Sequence, residues 1–217
     1  MHILFCDRIQ NSDAPSALKT PALSDAFNIS GAVNINLGGA RRINCIGIGN
    51  FNGTALTITN GGNQVINFTG NGLYLLPREL NVSTLSFSAN GNTIGRLGAG
   101  LAMRIGTSVR KEPSFNSTAE PRTTLSGQVI PGRGGHIFRA VSLDSRYRID
   151  ETMMGEIKEG YRHIAMGYPF FINLEDEAYK LPFDKLYAID QNQMAMGFES
   201  GVRRFLFSRR WSFEERF

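Results

Sequence analysis

Apolar and polar positions alternate through much of the first half of the chain. Over Ala55–Thr59, Leu56 and Ile58 share one face while Thr57 and Thr59 share the other. The same period recurs over Gln64–Thr69, with Ile66 and Phe68 on one side, and over Val82–Ser88, with Leu85 and Phe87 opposite Thr84 and Ser86. A period of two sends successive side chains to opposite faces of a strand, so one row can enter a core while the other meets water or a neighbour. The apolar run Ile43–Ile48 predicts an inner strand and His2–Cys6 a short one. Leu73–Leu76 predicts another that Pro77 closes, and Leu101, Met103 and Ile105 line a last strand. Between them lie Gly49–Gly53, Asn60-Gly61-Gly62, Asn71-Gly72 and Asn90-Gly91, rich in residues that tolerate positive φ and close hairpins. Short strands at this interval predict a mainly β chain, an antiparallel β-sandwich or jelly roll with its core over 31–110.

The second half, 136–217, reads as a C-terminal β-rich portion that either completes the same sandwich or forms a second domain. His136–Ile149 reads as a strand pair or one long strand. Asp150 can cap a helix over about 151–166, in which Met154, Ile157, Tyr161 and Ile164 recur at helical spacing and Gly155 and Gly160 weaken the pattern. Tyr168–Leu174 and Leu186–Ile189 read as strands. The last run, from about Arg203 to Glu215, places Phe205, Phe207, Trp211 and Phe213 on one face and Leu206, Ser208, Arg210 and Ser212 on the other. It exceeds the usual strand length, which predicts a bulge or an extension into a neighbouring subunit. Two stretches lack periodicity. Residues 1–30, broken by Pro15 and Pro21, predict an N-terminal strand followed by an extended arm that pairs with a neighbour. Residues 111–135, with Pro113, Pro121 and Pro131, predict a Pro/Gly-rich excursion. On this reading, removing residues 1–25 leaves the sandwich folded and weakens assembly.

Composition adds two constraints. With 217 residues and 41% hydrophobic content, the chain can bury a core without disulfides or metal. The net charge of +4 is uneven: residues 1–110 carry 8 Lys/Arg against 4 Asp/Glu, and the remainder carries equal numbers. The excess is dilute, with Arg41–Arg42 its one basic pair, which argues against a dedicated nucleic-acid surface. No run approaches the roughly 20 apolar residues that span a bilayer, and Met1–Asp7 lacks the basic-then-apolar order of a signal peptide.

Candidate chemistry is sparse. His2, His136 and His163 form no metal-like spacing, and Cys6 and Cys45 read as buried thiols. No Gly-x-Ser-x-Gly elbow occurs. The glycine-rich stretches Gly47–Asn50, Gly95–Gly100 and Pro131–Gly135 are not followed by a helix that would bind phosphate, so they read as turns and bulges. Glu175-Asp176-Glu177 reads as a solvated turn. No catalytic residue, metal or cofactor is expected. The arginines Arg203, Arg204, Arg209 and Arg210 bracket Phe205–Ser208, and guanidinium groups both stack on rings and fork onto carboxylates. They read either as edge arginines that pack within the fold or as a protein interface made with Phe205, Phe207, Trp211 and Phe213, and with Arg146 and Arg148 of the earlier strand.

Two segments carry a resemblance. The stretch from Arg42 to Ile58 (RINCIGIGNFNGTALTI) resembles a motif of tailed-phage virion proteins, in which an apolar strand, an Asn-rich turn and a second apolar strand follow one another. The stretch from Gly197 to Phe217 (GFESGVRRFLFSRRWSFEERF) looks like the closing strand of the same group. The resemblance implies a structural component of a tail, baseplate or collar, with a galactose-binding-like jelly-roll sandwich. It also implies location in the virion after assembly in the host cytoplasm. The implied partners are copies of itself, other virion proteins and a tail fibre or spike, without specific nucleic-acid binding or membrane insertion. The alternative is a carbohydrate- or receptor-binding module, for which Phe51, Asn52, Asn71 and Tyr74 are the candidate contacts.

Overall fold

The computed structural model describes residues 1–4, 6–60, 62–104, 107–117, 122–123, 129–130, 137–149, 154–155, 157–160, 168–174, 185–190, 197–201 and 204–216. For 107–113, 115–117, 122–123, 129–130, 137–138, 143–149, 197–201 and 204–210 it describes backbone pairing alone. The chain opens with a strand, His2–Leu4 (β1), and a short helix, Ser16–Lys19 (α1). The alternating segments then form a first sheet from Phe27–Asn28 (β2), Val33–Phe51 (β3), Ala55–Ile58 (β4), Gln64–Asn67 (β5), Gly72–Ala89 (β6) and Thr93–Gly100 (β7). Its order is β2-β7-β3-β6-β4-β5, antiparallel throughout. The remaining strands are Ala102–Arg104 (β8), Thr107–Ser117 (β9), Arg122–Thr123 (β10), Val129–Ile130 (β11), Ile137–Ile149 (β12), Phe170–Asn173 (β13), Lys185–Asp190 (β14), Gly197–Gly201 (β15) and Arg204–Glu215 (β16). The second sheet runs β8-β1-β13-β14-β16-β12-β9, with β15 on β16, while β10 and β11 pair separately. The two sheets form the predicted antiparallel β-sandwich.

Several boundaries differ from those read in the sequence. Pro77 does not end a strand. It sits in a bulge of β6, where Cys45 pairs with Leu75 and Ile43 with Leu80, so residues 76–79 have only Asn44 opposite them and no ladder bond needs the missing N–H. A second bulge, in β3, places residues 37–40 opposite Ser83, and Gly38 (φ 72°) and Gly39 (φ 142°) supply the left-handed turns. These two bulges bend β3 and β6 so that the first sheet rolls around its own core of Ile35, Ile46, Ile58, Leu85, Phe87 and Leu97. β7, which holds Gly95, Gly98 and Gly100, is a strand and not a series of turns. The predicted excursion is partly strand: Lys111–Ser117 belongs to β9, where Pro113 stands opposite Val141 on an outer strand. Of the predicted helix, residues 154–155 and 157–160 are helical and the others lie outside the described residues.

The second sheet curls back on itself. β8 and β9 stand at opposite ends of its strand order, about 29 Å apart if it were flat. Yet Arg104 and Thr107 are three Cα links apart in the chain, at most about 11 Å. The two edges must therefore approach one another. Consistent with this, Met103 of β8 and Val141 of β12 lie in one buried cluster with Ile3, Phe170, Ile172, Leu186, Trp211 and Phe213, against which Ile157 of the helical residues packs. A sheet of this many strands has an interior just wide enough for side chains to fill.

Residues 7–30 do not form an extended arm. Ile9, Ala14, Leu18, Leu23 and Ile29 are buried, and all but Leu23 belong to the core of the first sheet. Ile29 N–H donates to the Asn92 carbonyl (2.7 Å) and Arg8 N–H to the Ala99 carbonyl (2.8 Å). Pro15 directly precedes α1, a position a helix start accepts because the missing N–H would be unsatisfied there anyway. β1, meanwhile, lies between β8 and β13 in the second sheet. The N-terminal stretch thus contributes to both halves of the sandwich.

Candidate functional site

The junction of the two sheets is built on missing side chains. Gly47 of β3 and Gly98 of β7 are directly paired, and a Cβ on Gly47 would fall within the Phe171 ring. Phe171, from β13, therefore rests on bare backbone, with Tyr187 of β14 beside it at 4.7 Å between ring centres. Leu23 occupies the space over Gly49 in the same way. Leu4, Leu23, Cys45, Leu73, Phe171 and Tyr187 form the buried joint.

A polar network lies beside this joint. The Arg96 guanidinium is 3% exposed and donates to Asp7 Oδ2 and to the Leu18 carbonyl, each at 2.7 Å. Asp7 Oδ1 accepts from the N–H groups of Ile9 and Ala99, each at 3.0 Å. The Tyr187 hydroxyl donates to the Pro21 carbonyl at 3.0 Å. A carboxylate and a guanidinium buried together need such partners, since a charge left alone in the interior is strongly destabilising. Arg96 and Asp7 therefore fasten the N-terminal segment to β7, and Tyr187 fastens it to β14.

Burial pushes the Tyr187 hydroxyl up to about 12 from 10.0; Arg96 opposes the shift and Asp7 adds to it. The neutral phenol is thus the form the fold favours. Its contribution is fully present below pH 10 and is lost as pH rises through about 12. The Tyr187→Phe variant is expected to melt lower at pH 7, by about 1 kcal/mol for the lost hydrogen bond. Its melting temperature should then fall less steeply than that of the parent between pH 10 and 12. Parallel melting curves across that range would contradict the assignment.

The candidate glycan contacts are committed to holding the fold. Phe51 is buried, edge-on to Phe68 at 5.4 Å. Asn52 Oδ1 accepts from the N–H groups of Asn92 (2.8 Å) and Thr93 (2.9 Å). In return Asn90 Oδ1 accepts from Thr54 and Ala55, both at 2.9 Å, so the β3–β4 and β6–β7 turns clasp each other. Asn71 Oδ1 accepts from Asn50 N–H at 2.7 Å, where Asn50 takes a left-handed conformation (φ 46°). The Tyr74 hydroxyl closes the 69–70 turn, accepting from both N–H groups, and Lys185 Nζ stands 5.2 Å from its ring centre. Of the four, Asn52 is exposed and Asn71 half-buried, and each spends its amide oxygen on backbone.

The candidate interface strand divides by face. β16 pairs with β12 without a register break, from Ala140 opposite Glu214 to Ile149 opposite Phe205. Trp211 and Phe213 are fully buried in the second core, which removes them from the set of surface contacts. Their neighbours Ser212 and Glu214 are half-buried, so odd and even positions face inward and outward. For Phe205, Phe207, Arg204, Arg209 and Arg210, and for Arg146 and Arg148 of β12, the structure describes backbone register alone, with Arg148 opposite Leu206 and Arg146 opposite Ser208. The length of β16 is accounted for inside the chain, since β12 flanks one side of it and β14 and β15 share the other. Arg203 and the Glu175–Glu177 cluster lie outside the described residues. So do His136 and His163.

Two other ion pairs are structural in setting. Arg139 clamps the buried Glu215 through Nε (2.8 Å) and Nη2, tying the start of β12 to the end of β16. Arg8 Nη1 donates to Glu159 at 2.6 Å, which in the first place holds that carboxyl below its usual range and links the N-terminal segment to the helix. Cys6 and Cys45 are buried and form no disulfide, and Cys45 Sγ donates to the Gly100 carbonyl at 3.3 Å. Among the described residues no group of His, Cys, Asp or Glu is placed to hold a metal ion, and no helix is long and apolar enough to cross a membrane. Sequence reasoning missed Asp7, Arg96, Phe171 and Tyr187. One signal was present: a lone arginine inside the otherwise apolar and glycine-rich run Thr93–Gly100 must be either exposed or paired.

No family model, curated protein or solved structure matches this chain.

Proposed function

We propose that the chain is a non-enzymatic structural component of an assembly, and that it works by packing against copies of itself and against neighbouring proteins. The observation that carries this reading is the ribbon formed by β12, β16 and β15. The first sheet packs on β1, β13 and β14, and β14 accompanies β16 only from Phe213 to Glu215. The ribbon continues past that point to Ile149 and Arg204, where among the described residues its strands pair within their own sheet. A long, unbroken strand pair beyond the sandwich is a surface suited to subunit packing. The use of loop amides and buried charges for internal fastening is in keeping with a role in architecture.

The finer assignment, a phage virion component of the tail, baseplate or collar, rests on the resemblance carried by residues 42–58 and 197–217. The test is native mass spectrometry of the purified chain over a micromolar concentration series. A discrete closed oligomer, seen as a multiple of 24.0 kDa, is the expected result. A monomer at every concentration would contradict self-assembly.

A further inference from the structure

Charge is missing from one part of the molecule. Of the 23 Lys/Arg and 19 Asp/Glu in the chain, only Arg41, Arg42, Arg78 and Glu79 fall between Ala26 and Gly95. That stretch builds the first sheet from β2 into β7. The four charged residues lie at or beside its two bulges, where Arg42 forks onto Glu79 at 2.6 and 3.1 Å. The rest of this sheet carries no charge before Arg96. A solvated protein surface is ordinarily about 25–35% charged, and the centres of protein interfaces are the places where charge is depleted.

Burial shows which residues form the outer face. In β5, Gln64 and Ile66 are buried while Val65 and Asn67 are exposed, and the same alternation runs through β4 and through the paired ends of β3 and β6. Register lays the outward residues side by side across four strands. Asn34 of β3 stands opposite Ser86 of β6, and Thr57 of β4 stands opposite both Ser88 of β6 and Val65 of β5. The face has an apolar border. Val65 is 54% exposed, and Leu75 is 44% exposed across the seam where Arg78 N–H donates to Gln64 Oε1. They are two of the three large hydrophobic residues exposed among the described residues.

A second copy of this chain fits such a face. In a two-fold contact the same patch meets itself, so any charge on it would lie near its own like charge. An uncharged face escapes that repulsion, whereas an acidic or basic partner would find nothing here to pair with. Among the described residues of 26–95 no aromatic side chain is exposed, so the face also lacks rings on which a sugar could stack. Four strands about 4.8 Å apart, each offering about five residues, give a face of roughly 19 by 16 Å. That is modest beside the about 800 Å² per partner of a standard interface, so association in the micromolar range is expected.

We infer that the uncharged outer face of β3, β6, β4 and β5 packs against the same face of a second copy of this chain. This deepens the proposed assembly function, on which it rests, and uses different strands from the ribbon.

The test is sedimentation velocity over a concentration series of about 1–100 µM. Four proteins are compared: the parent, N34K/T59K, V65K/N67K, and a control, N11K/S24K, that adds the same charge at exposed positions of the N-terminal segment. All six substituted residues are exposed, so thermal midpoints should stay unchanged. The two face pairs serve as independent tests should one of them disturb folding. The parent and the control should associate alike. Either face variant should associate about tenfold or more weakly, because two lysines from each copy meet across the contact. Unchanged association in both face variants would overturn the inference and leave assembly through another surface standing. Equal weakening in the control would also overturn it, since net charge and not this face would then be the cause. A parent that stays monomeric throughout would defeat self-assembly and this inference together. A neutral dextran serves as a second probe in affinity electrophoresis. If it retards the parent but not the face variants, the occupant is a glycan and the inference fails; equal mobility of all four proteins supports the second copy.

Discussion

Deleting residues 1–25 is expected to unfold the protein. The deletion removes β1, which lies between β8 and β13, and so opens the second sheet in its interior. It also removes Ile3, Leu4, Ile9, Leu18 and Leu23, all essentially inaccessible to solvent. At roughly 1.5–3 kcal/mol for each buried side chain, their loss amounts to about 7–15 kcal/mol. That is comparable with the whole stability of a typical domain, about 5–15 kcal/mol. The same deletion leaves Arg96 buried without Asp7 and without the Leu18 carbonyl. Circular dichroism and thermal melting check the outcome: an aggregating product, or one without a cooperative transition, is expected. A soluble 26–217 fragment melting cooperatively would show that the segment is dispensable, as the proline-broken sequence suggests when read alone.

The second large effect is expected from a single methyl group. Gly47→Ala places a Cβ inside the Phe171 ring, whose near atoms are held between the two sheets. Overpacking a tight interior costs about 1–3 kcal/mol, and this substitution should fall at or above the upper end. Gly98→Ala meets the same ring less closely, with its nearest ring atoms at 2.9 Å, and should cost less. Gly38→Ala meets nothing within 4 Å; its φ of 72° is its only difficulty, so about 1 kcal/mol is expected. Chemical denaturation of the three variants should therefore rank them Gly47, Gly98, Gly38. The double variant Gly47→Ala/Phe171→Leu should recover part of the loss, because the smaller side chain vacates the contested space. Equal costs at Gly47 and Gly38 would mean that the sheets do not meet at this point.

Much of the fold was legible because its signals are local. Leu56 and Ile58, and Leu85 and Phe87, alternate with polar residues and are buried on strands, while Ile66 is buried on β5 and Phe68 half-buried just beyond its end. Asn60-Gly61-Gly62 and Asn90-Gly91 mark real connections between strands. What could not be read depends on contacts between residues distant in sequence. Gly98 reads as a turn residue until Phe171, far along the chain, is seen to need its space. Pro77 reads as a terminator until the bulge opposite Asn44 is known. The segment from Asp7 to Ile29 has no period because its apolar residues satisfy separate places on a finished surface, not one face of a helix or strand. For the candidate site, alternation predicted the two faces of β16. It could not say which face turns inward, and that single unknown placed Trp211 and Phe213 among the contacts. The amides of Asn52 and Asn71 could not be judged from sequence, since their use depends on which turns meet.

The central claim is that residues 7–29 are an internal staple joining both sheets into one body. Amide hydrogen exchange of the native protein tests it most directly. The N–H groups of Arg8, Leu18 and Ile29 donate to Ala99, Pro15 and Asn92. If the staple is integral, Arg8 and Ile29 should exchange as slowly as amides in the middle of β3, opening only with the whole molecule. Exchange there at the rate of a free chain, alongside full protection in β3, would contradict the account.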